Sequence, residues 1–506
     1  MKLDCLFINP GNQQETYQGL SGELTAVEPP IWCRLLSSFM EKRGASVEIL
    51  DCVALGLGRH ESVGAISLAG PALAVVVVQG HQPSASTQTM PSAISLCRAL
   101  KELTSDIPIL VVGGHPAALP DQTLRETGAD FVCTGEGPYT ISDLLSYLKA
   151  NGGKWKYGYK GAIRGVVYWD HDNLLRNDPA PNVWSLDEEM PGGQWEKLPM
   201  EKYRAHVWHC LQEKSRQPYA SIYTSLNCPW QCHYCMISTP FREGDALHSG
   251  KDGVNFYRMW SADSVIAEIG TLVEKYGVTN IKICDEMFFL NPKHVIEISD
   301  KIIERGYGDR LNIWCYSRID SCRPEFLEKA RRAGIKWVAV GIEAADDGVR
   351  EAVDKNDFTN DDIYRTCKLI REAGVNLIAN MIVGLPRDTP ETMEKTLQMA
   401  LEIQPEFLNL YPAMPYPGSK LYDSVKDHWN PEGGWSAFSM HGYYTHPMPT
   451  ENLFPADVLK FRDDAIVRYF TDPGYLAMVK TKFGDRAVAE IKKLTDVRLK
   501  RKLLGD

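Results

Sequence analysis

The chain has 506 residues, of which 44% are hydrophobic and 24% charged, and its formal net charge is −10. This composition is typical of a globular protein, and the length predicts about two to four domains. The negative charge excludes a protein held on nucleic acid by phosphate contacts, and no apolar run is long enough to cross a membrane.

Residues 1–150 alternate short apolar runs with helical patterns, and the first ten residues predict a strand and a loop rather than a signal peptide. The predicted strands are 3–9, 46–51, 72–79, 107–113 and 131–135, with helices between them such as 30–43 and 90–103. Because these strands are apolar without alternation and are separated by helices, they predict a doubly wound parallel sheet.

Four loops follow these strands at the edge where such sheets bind their ligands. They are residues 10–28, 80–89, 113–120 and 135–140. The loops are rich in glycine, serine, threonine and glutamine, and they are longer than a purely structural sheet requires. We therefore expect them to hold a cofactor.

Residues 151–205 are rich in glycine, proline and tryptophan, which predicts a small hairpin and a linker without chemistry of its own. Residues 206–420 again alternate strands with amphipathic helices. The predicted strands are 220–226, 280–285, 311–318, 337–343, 377–385 and 407–414. Six β/α units predict a partial (β/α)6 barrel, whose chemistry would lie at the C-terminal ends of its strands.

The most informative motif follows the first barrel strand. Cys228, Cys232 and Cys235 have the spacing CxxxCxxC, and no fourth cysteine lies at a matching step. A structural zinc site and a 4Fe–4S cluster both use four ligands. Three thiolates on a cluster would leave one iron open for a substrate or cofactor. The alternatives are three buried cysteines or part of a zinc site.

The chain has ten other cysteines, and these fall within apolar strands or helices, where core packing is the better interpretation. Thirteen cysteines in a chain without a secretory signal predict reduced thiols and a cytoplasmic setting.

Polar residues follow several barrel strands at the predicted active face. They are Asp285, Glu286, Ser317, Arg318, Asp320, Glu343, Asn380 and Tyr411. Each residue alone is more often a helix cap or a solvent-facing side chain. Together they surround the face that also carries the cysteine loop, which favours a common site.

Residues 421–506 predict a mainly helical region after a glycine- and aromatic-rich loop at 429–444. The aromatic residues of that loop fit either a cap over the barrel mouth or packing of the tail. The basic C-terminal end predicts a solvated helix face, with a partner site as the alternative.

These motifs resemble those of the cobalamin-dependent radical S-adenosylmethionine (SAM) enzymes. Residues 206–420 resemble the radical SAM core, and residues 1–150 resemble a cobalamin-binding, Rossmann-like domain. The motifs that carry the resemblance are the three cysteines, Asp285-Glu286, Ser317-Arg318, 341–343, 384–386, 416–418, 113–115 and 135–137.

The resemblance implies that Cys228, Cys232 and Cys235 hold three irons of a 4Fe–4S cluster and that SAM chelates the fourth. Glu286, with Asp285, would accept hydrogen bonds from the SAM ammonium. The full set of implied SAM contacts is Tyr234, Met236, Asp285, Glu286, Ser317, Arg318, Glu343, Asn380 and Val383. Among these, Arg318 would pair with the SAM carboxylate and Glu343 would receive the ribose hydroxyls.

The resemblance also implies cobalamin contacts in the first domain. They are Tyr17, Gln18, His81, Ser84, Ser86, Gly113, Gly114, His115, Gly135, Glu136 and Gly137. The loop after the first strand lacks the cobalt-binding histidine of cobalamin mutases, as is common in the radical SAM class. Tyr17 or a neighbouring glutamine would then lie on the lower face of the corrin. The four glycines would permit close backbone approach to a bulky ligand.

The implied activity is a methyl transfer from methylcobalamin to an unactivated centre, initiated by a 5′-deoxyadenosyl radical. A cyclase or rearrangement enzyme without methyl transfer is the first alternative. A cobalamin- or metal-binding sensor is the second. The implied partners are a small-molecule substrate and an external electron donor of the flavodoxin or ferredoxin type, with neither nucleic acid nor a membrane span.

Overall fold

The structure is a computed structural model that describes residues 3–11, 16–22, 24–80, 83–104, 106–155, 163–213 and 215–506. Two residues expected in the cofactor loops lie outside this description, His81 entirely and Ser84 in its side chain. Their proposed roles therefore stay predictions.

A seven-stranded sheet forms the centre of the N-terminal half. Its strands are β1 (Cys5–Asn9), β2 (Val47–Asp51), β3 (Leu73–Val78), β4 (Ile109–Gly113), β5 (Phe131–Cys133), β6 (Val166–Asp170) and β7 (Asn173–Arg176). They lie in the order β2-β1-β3-β4-β5-β6-β7, and the first five run parallel. The expected doubly wound parallel sheet is thus confirmed for β1 to β5.

Helices separate the parallel strands. They are α1 (Ile31–Lys42), α2 (Cys52–Leu55), α3 (Arg59–Ala69), α4 (Pro83–Leu103), α5 (Gly114–Ala118), α6 (Pro120–Thr127) and α7 (Pro138–Ala150). Every residue of β3 is buried, because the strand lies in the middle of the sheet between helix layers. The strand order reverses between β1 and β3, the point at which sheets of this topology bind their ligands.

The hairpin expected within the linker belongs to the first sheet. β6 pairs antiparallel with β5, so that Cys133 lies opposite Val166, and β7 pairs with β6. The edge of the sheet is therefore mixed rather than purely parallel. The pairing has a physical reason, since without β6 the short strand β5 would expose unpaired backbone groups.

A second sheet has six parallel strands in the order β15-β14-β13-β12-β11-β8. The strands of this half are β8 (Tyr219–Ile222), β9 (Ser225–Leu226), β10 (Arg258–Met259), β11 (Asn280–Ile283), β12 (Asn312–Arg318), β13 (Ile335–Glu343), β14 (Asn376–Val383) and β15 (Phe407–Pro412). β9 and β10 form a separate antiparallel pair. Because β8 and β15 are both edges, the six-stranded sheet is the expected partial barrel.

The helices of this half follow the β/α pattern. They are α8 (Leu186–Glu189), α9 (Arg242–Ser249), α10 (Ala262–Lys275), α11 (Pro292–Glu304), α12 (Pro324–Arg332), α13 (Asp347–Glu351), α14 (Asn360–Glu372), α15 (Pro390–Ile403), α16 (Lys420–Val425), α17 (Pro455–Phe470), α18 (Pro473–Phe483) and α19 (Asp485–Asp496). The start of α15 was predictable, because Thr389 caps it and Pro390 occupies its first position.

The two halves meet through a buried ion pair. Glu28, which precedes α1, accepts a hydrogen bond from the Lys282 ammonium at 3.1 Å and another from the Tyr219 hydroxyl at 2.8 Å. Lys282 lies on β11, and its side chain is 1% exposed. Removing either charge would leave the other buried without a counter-charge, so this contact fixes the first domain against the barrel.

The C-terminal region is mainly helical, as expected. Helices α17 and α18 pack beside β15, where the Tyr475 hydroxyl donates a hydrogen bond to the Glu406 carbonyl at 3.1 Å. Within the described part of the chain, no helix combines the length and apolar character needed to cross a bilayer.

Gly113, expected to admit a ligand, is required by the sheet itself. Its φ is +148°, and a Cβ there would lie 2.0 Å from the Val78 carbonyl oxygen of β3. We predict that Gly113→Ala lowers the free energy of unfolding by about 2–4 kcal/mol, because backbone strain and overpacking both contribute.

Gly128 provides the matched control, since its φ is +66° and a Cβ there would have no neighbour within 4 Å. Gly128→Ala should cost about 1–2 kcal/mol, the left-handed penalty alone. Denaturant unfolding of both variants tests this prediction, and equal losses of stability would refute it.

Candidate functional site

A cavity of about 1060 Å³ lies inside the partial barrel, between the cysteine loop, the loop after β1 and the C-terminal region. Ten of the expected site residues line it: Tyr17, Cys228, Cys232, Tyr234, Cys235, Glu286, Ser317, Arg318, Glu343 and Asn380. The structure therefore brings together most of the expected SAM contacts, all three cysteines, and one residue of the first domain.

The cysteine loop is held open to this cavity. Cys228, Cys232 and Cys235 are partly exposed, whereas the other ten cysteines are buried. The side chain of Asn227, whose φ is +74°, accepts a hydrogen bond from the Cys228 amide at 2.8 Å. Its amide group donates to Asp245 of α9 at 2.9 Å, so a buried polar contact fixes the start of the loop.

The donor set fits an iron–sulfur cluster better than a single metal ion. Among the described residues, no three His, Cys, Asp or Glu side chains are grouped closely enough to hold one ion. The thiolates of a cluster bind different irons and lie further apart than the ligands of one ion. Burial raises the pKa of Cys235 to about 12, so its thiol needs a bound metal to become a thiolate.

Arg318, at the end of β12, connects the cysteine loop to two acidic residues. Its Nη1 atom lies 3.8 Å from Cys232 Sγ, and its Nε atom donates to Asp320 at 3.1 Å. Asp357 accepts a further hydrogen bond from Nη2. The guanidinium also stacks over the Trp230 ring at 4.5 Å. A positive charge is thus fixed beside the middle cysteine.

The two adjacent acidic residues after β11 have different roles. The Asp285 carboxylate accepts hydrogen bonds from the Thr224 amide and the Ser225 hydroxyl, both at 2.6 Å, and it lies outside the cavity wall. Its expected contact with SAM is therefore not supported. Glu286 lines the cavity, and its Oε2 atom is buried without a partner among the described residues. Burial raises the pKa of Glu286 to about 8.

Glu343 forms a buried ion pair that the sequence did not predict. Its carboxylate accepts hydrogen bonds from Lys355 Nζ at 2.7 Å and from the Tyr234 hydroxyl at 2.9 Å. Burial acts to lower the pKa of Lys355, but the Glu343 carboxylate outweighs it and the pKa is raised. The ammonium therefore stays charged in the cavity wall.

Local backbone geometry makes this ion pair possible. The register between β13 and β14 shifts between Gly341 and Glu343, and Glu343 has a φ of +65°. A Cβ at position 341 would lie 2.5 Å from Glu343 Oε1 and 2.9 Å from Lys355 Nζ. The glycine and the irregular strand end together leave room for both charges, as is common beside functional sites.

Three other expected SAM contacts differ in their exposure to the cavity. Asn380 faces it and accepts a hydrogen bond from Asn409 at 2.9 Å. Val383 and Met236 are buried and lie outside the cavity wall. Met236 instead occupies the space beside Gly114, where a Cβ would meet its Cε atom at 2.9 Å. It therefore packs the cysteine loop against the first domain.

Most of the expected cobalamin contacts are engaged within the protein. The Glu136 carboxylate forms a buried ion pair with Arg258 at 3.0 Å. The Ser86 hydroxyl donates to the Val78 carbonyl at 2.5 Å, and the Gln18 amide donates to the His441 carbonyl at 2.7 Å. These contacts give the three polar groups a structural explanation within the protein, and their expected roles at cobalamin stay predictions.

Of the two remaining glycines of the first domain, packing within the protein explains one. A Cβ at Gly137, whose φ is +112°, would meet Val112 at 2.9 Å, so packing requires this glycine. At Gly135 the nearest atom would be 3.8 Å away, and φ is not positive, so the described structure imposes no constraint there.

His115 is buried, and its Nε2 atom has no partner among the described residues. Burial lowers the pKa of His115 to about 3, so the ring is neutral. It packs edge-on against Trp435 of the C-terminal region, with 4.4 Å between ring centroids. This contact covers the cofactor edge of the first sheet with the aromatic loop.

Sequence reasoning missed several residues of the cavity wall. They are Gln88, Lys282, Lys355, Asn409, His441 and Arg462. A lysine inside the apolar run of β11 was a usable signal, because lysine is almost never buried without a partner. Lys355 lies in a polar segment and Arg462 lies in an amphipathic helix. Lysine and arginine are common in both settings, so they do not indicate a site there.

Comparison with known proteins gives two family matches. Residues 222–400 match the family model of the Radical SAM superfamily, and residues 17–145 match that of the B12 binding domain. The first match contains the cysteine loop, Glu286, Arg318 and Glu343, and the second contains Tyr17.

Two curated relatives and one solved structure are similar over most of the chain. An uncharacterized methyltransferase from Pyrococcus horikoshii is 26% identical over 396 residues, or 78% of each chain. An anaerobic magnesium-protoporphyrin IX monomethyl ester cyclase from Cereibacter sphaeroides is 24% identical, over 83% of this chain and 63% of the relative.

The structure of the radical S-adenosylmethionine methyltransferase TsrM from Kitasatospora setae, with cobalamin and a [4Fe-4S] cluster bound, has a TM-score of 0.66. It covers 94% of this chain and 90% of its own at 16% identity, which establishes the shared fold.

The ion pair between Glu343 and Lys355 generates a stability prediction. Lys355→Met should lower the free energy of unfolding by about 3–5 kcal/mol, because it leaves a buried carboxylate without its counter-charge. The double variant Glu343→Gln/Lys355→Met should recover most of that loss, since neither charge remains. Chemical unfolding of the four proteins in a double-mutant cycle measures this coupling. The exposed pair Lys368–Glu372 is the control, for which the coupling should be below about 0.5 kcal/mol.

Proposed function

The chain belongs to the cobalamin-dependent radical SAM enzymes, and on this premise we propose that it methylates an unactivated centre of a small-molecule substrate. One observation carries the proposal. The three partly exposed cysteines and Tyr17 of the first domain line the same cavity, so both cofactor-binding regions face one reaction space.

Cys228, Cys232 and Cys235 would hold the 4Fe–4S cluster. Arg318 would donate a charge-assisted hydrogen bond to the Cys232 thiolate, since its Nη1 atom already faces that sulfur. When bound, the cluster supplies the electron that cleaves SAM, and cobalamin supplies the methyl group. The remaining steps depend on how the chain orients SAM and the substrate.

Glu286 would bind the SAM ammonium, because its Oε2 atom is buried without a partner and an ammonium would satisfy it. Arg318 would also pair with the SAM carboxylate in place of Asp357, whose side chain is 49% exposed. Glu343, held by Lys355 and Tyr234, would accept hydrogen bonds from the ribose hydroxyls. Ser317 and Asn380 would complete this wall.

Tyr17 and Gln88 would contact cobalamin, because they are first-domain side chains in the wall of the shared cavity. Tyr17 lies in the loop after β1, at the edge where sheets of this topology bind ligands. The sequence of this loop contains no histidine. A cobalt held without a histidine ligand would be more easily reduced, a property that methyl transfer would require.

Cyclisation or rearrangement without methyl transfer is the second candidate, because a cyclase shares 24% identity over 83% of this chain. Methyl transfer is favoured, since the P. horikoshii relative is a methyltransferase and aligns over 78% of its own length, against 63% for the cyclase. The cavity supports a small substrate rather than a nucleic acid. The thirteen cysteines, none of them in a disulfide among the described residues, support a reducing cytoplasmic setting. The electron donor that we propose is of the flavodoxin or ferredoxin type.

Cysteine variants test the cluster assignment. Cys232→Ala should lose most of the iron bound after anaerobic reconstitution and should abolish the reductive cleavage of SAM, because one of only three thiolate ligands is missing. Cys367→Ala, a buried cysteine of α14, is the control and should retain both. Iron content, cluster absorbance and 5′-deoxyadenosine formation are the measurements. Intact SAM cleavage in Cys232→Ala would exclude Cys232 as a cluster ligand, whereas a wild-type protein that binds cobalamin without cleaving SAM would favour a sensor.

Product analysis tests methyl transfer. Anaerobic reaction with cobalamin, SAM, a reductant and candidate substrates should yield both 5′-deoxyadenosine and S-adenosylhomocysteine, because one SAM supplies the radical and another the methyl group. The product should be heavier by one methylene group. An unchanged or dehydrogenated skeleton, without S-adenosylhomocysteine, would instead establish the cyclase or rearrangement activity.

A further inference from the structure

The C-terminal helix α17 presents a polar group and an apolar stripe to the cavity. Arg462, Ile466 and Phe470 recur at four-residue spacing, so they lie on one face of the helix, and all three line the cavity. Phe407 of β15 and Trp314 of β12 line the same region. This part of the wall therefore combines an aromatic, apolar surface with the Arg462 guanidinium. The cavity is also lined by the charged residues Lys460, Asp463, Asp464, Arg498, Arg501 and Asp506.

The charge of Arg462 is only partly balanced. Its side chain is buried, with 6% exposure, and its Nη1 atom donates to Asp463 at 2.8 Å. The same carboxylate also accepts two hydrogen bonds from Arg501, at 2.8 and 2.9 Å. The Asp463 carboxylate, whose side chain is 25% exposed, thus serves two guanidiniums, so Arg462 shares its only ion-pair partner among the described residues. Burial and the neighbouring Arg501 charge lower the pKa of Arg462, although Asp463 opposes them.

The hydrogen-bonding capacity of Arg462 is also incomplete. Its Nε atom donates to the Leu410 carbonyl at 2.9 Å, whereas no residue in the described part of the chain accepts from Nη2. Arg501 differs, because its other donors reach Gly442, Thr445 and Met440 in the aromatic loop. Arg501 is therefore a structural residue, and Arg462 is the guanidinium with a donor available to a ligand.

Two further polar groups of the cavity wall interact electrostatically with Arg462. His441 lines the cavity, and its Nδ1 atom is buried without a partner among the described residues. Burial and the charges of Arg462 and Arg501 hold the pKa of His441 well below its usual range, so the ring is neutral. Tyr411, next to the Leu410 carbonyl that Arg462 contacts, also faces the cavity. A guanidinium, a neutral imidazole and a phenol match the acceptor atoms of one anionic group.

We propose that Arg462, His441 and Tyr411 form the subsite for a carboxylate of the substrate, whose apolar or aromatic body lies along Ile466, Phe470, Phe407 and Trp314. This inference rests on the proposed function for the identity of the ligand as the methyl acceptor. The carboxylate gives Arg462 an anionic partner that it does not share with Arg501, and it satisfies the free Nη2 donor. The apolar body covers the rest of the wall.

A pair of probes that differ only in charge tests the subsite. Isothermal titration of the full, reconstituted chain would compare 2-naphthylacetate with the neutral 2-naphthylacetamide. The wild-type protein should bind the carboxylate at least about tenfold more tightly than the amide, the effect of a charge-assisted hydrogen bond. Arg462→Met should bring this ratio close to one, and Arg462→Lys should retain part of it.

The amide shows whether the cavity is intact, since Arg462→Met should bind it as the wild type does. Arg468→Met is the matched control, because Arg468 lies on the same helix and pairs with Glu394 outside the cavity wall. It should keep the full preference. Equal binding of both probes by the wild type would overturn the subsite, as would a preference that survives in Arg462→Met or is absent in Arg462→Lys.

Failure of the subsite and failure of the proposed function are distinguishable. Cys232→Ala should keep the preference for the carboxylate while it loses SAM cleavage, because the probes bind without radical chemistry. A wild-type chain that prefers the carboxylate but does not transfer a methyl group would retain the subsite and refute the methyltransferase.

Discussion

The cost of burying charge governs the wall of the barrel. A charged side chain inside an apolar barrel is tolerated only when a counter-charge or hydrogen bonds replace its water. Lys282 is paired with Glu28, Lys355 with Glu343, and Arg318 with Asp320 and Asp357. These pairs hold the first domain, the strand ends and the cysteine loop in fixed relation, and they thereby define the shape of the cavity wall.

Against this background, the groups without complete partners point to ligands. Glu286 has a buried oxygen that no described residue contacts, and it lies in the wall shared with the cysteines. Arg462 has a free donor and shares its carboxylate with another guanidinium. A cation would satisfy the unpartnered oxygen of Glu286, and an anion would satisfy the free donor of Arg462. Such opposite requirements within one cavity are consistent with the proposal of two different ligands, SAM at Glu286 and the substrate at Arg462.

The sequence predicted the parts of this arrangement that depend on periodicity and spacing. Buried apolar runs located both sheets, and the cysteine spacing located the loop that faces the cavity. Which side chains form hydrogen bonds or ion pairs with each other in the folded protein was not predictable. Asp285 and Glu286 are adjacent and chemically alike, yet only the fold shows that Asp285 is bound by Thr224 and Ser225. Likewise, Glu136 lies in a glycine motif typical of ligand loops. Its carboxylate is paired with Arg258, which lies 122 positions away in the sequence.

The division of roles between the barrel and the C-terminal region follows from the same constraint. Under the proposed function, the strand-end residues bind the cluster and SAM, so they leave little freedom to select a substrate. Arg462, Ile466 and Phe470 lie on a helix outside the β/α pattern, and they reach the cavity beside β15. A substitution on that helix changes the charge or shape of the wall without disturbing the cysteines. Under the proposed function, substrate choice would therefore depend mainly on α17 and the aromatic loop that Arg501 contacts.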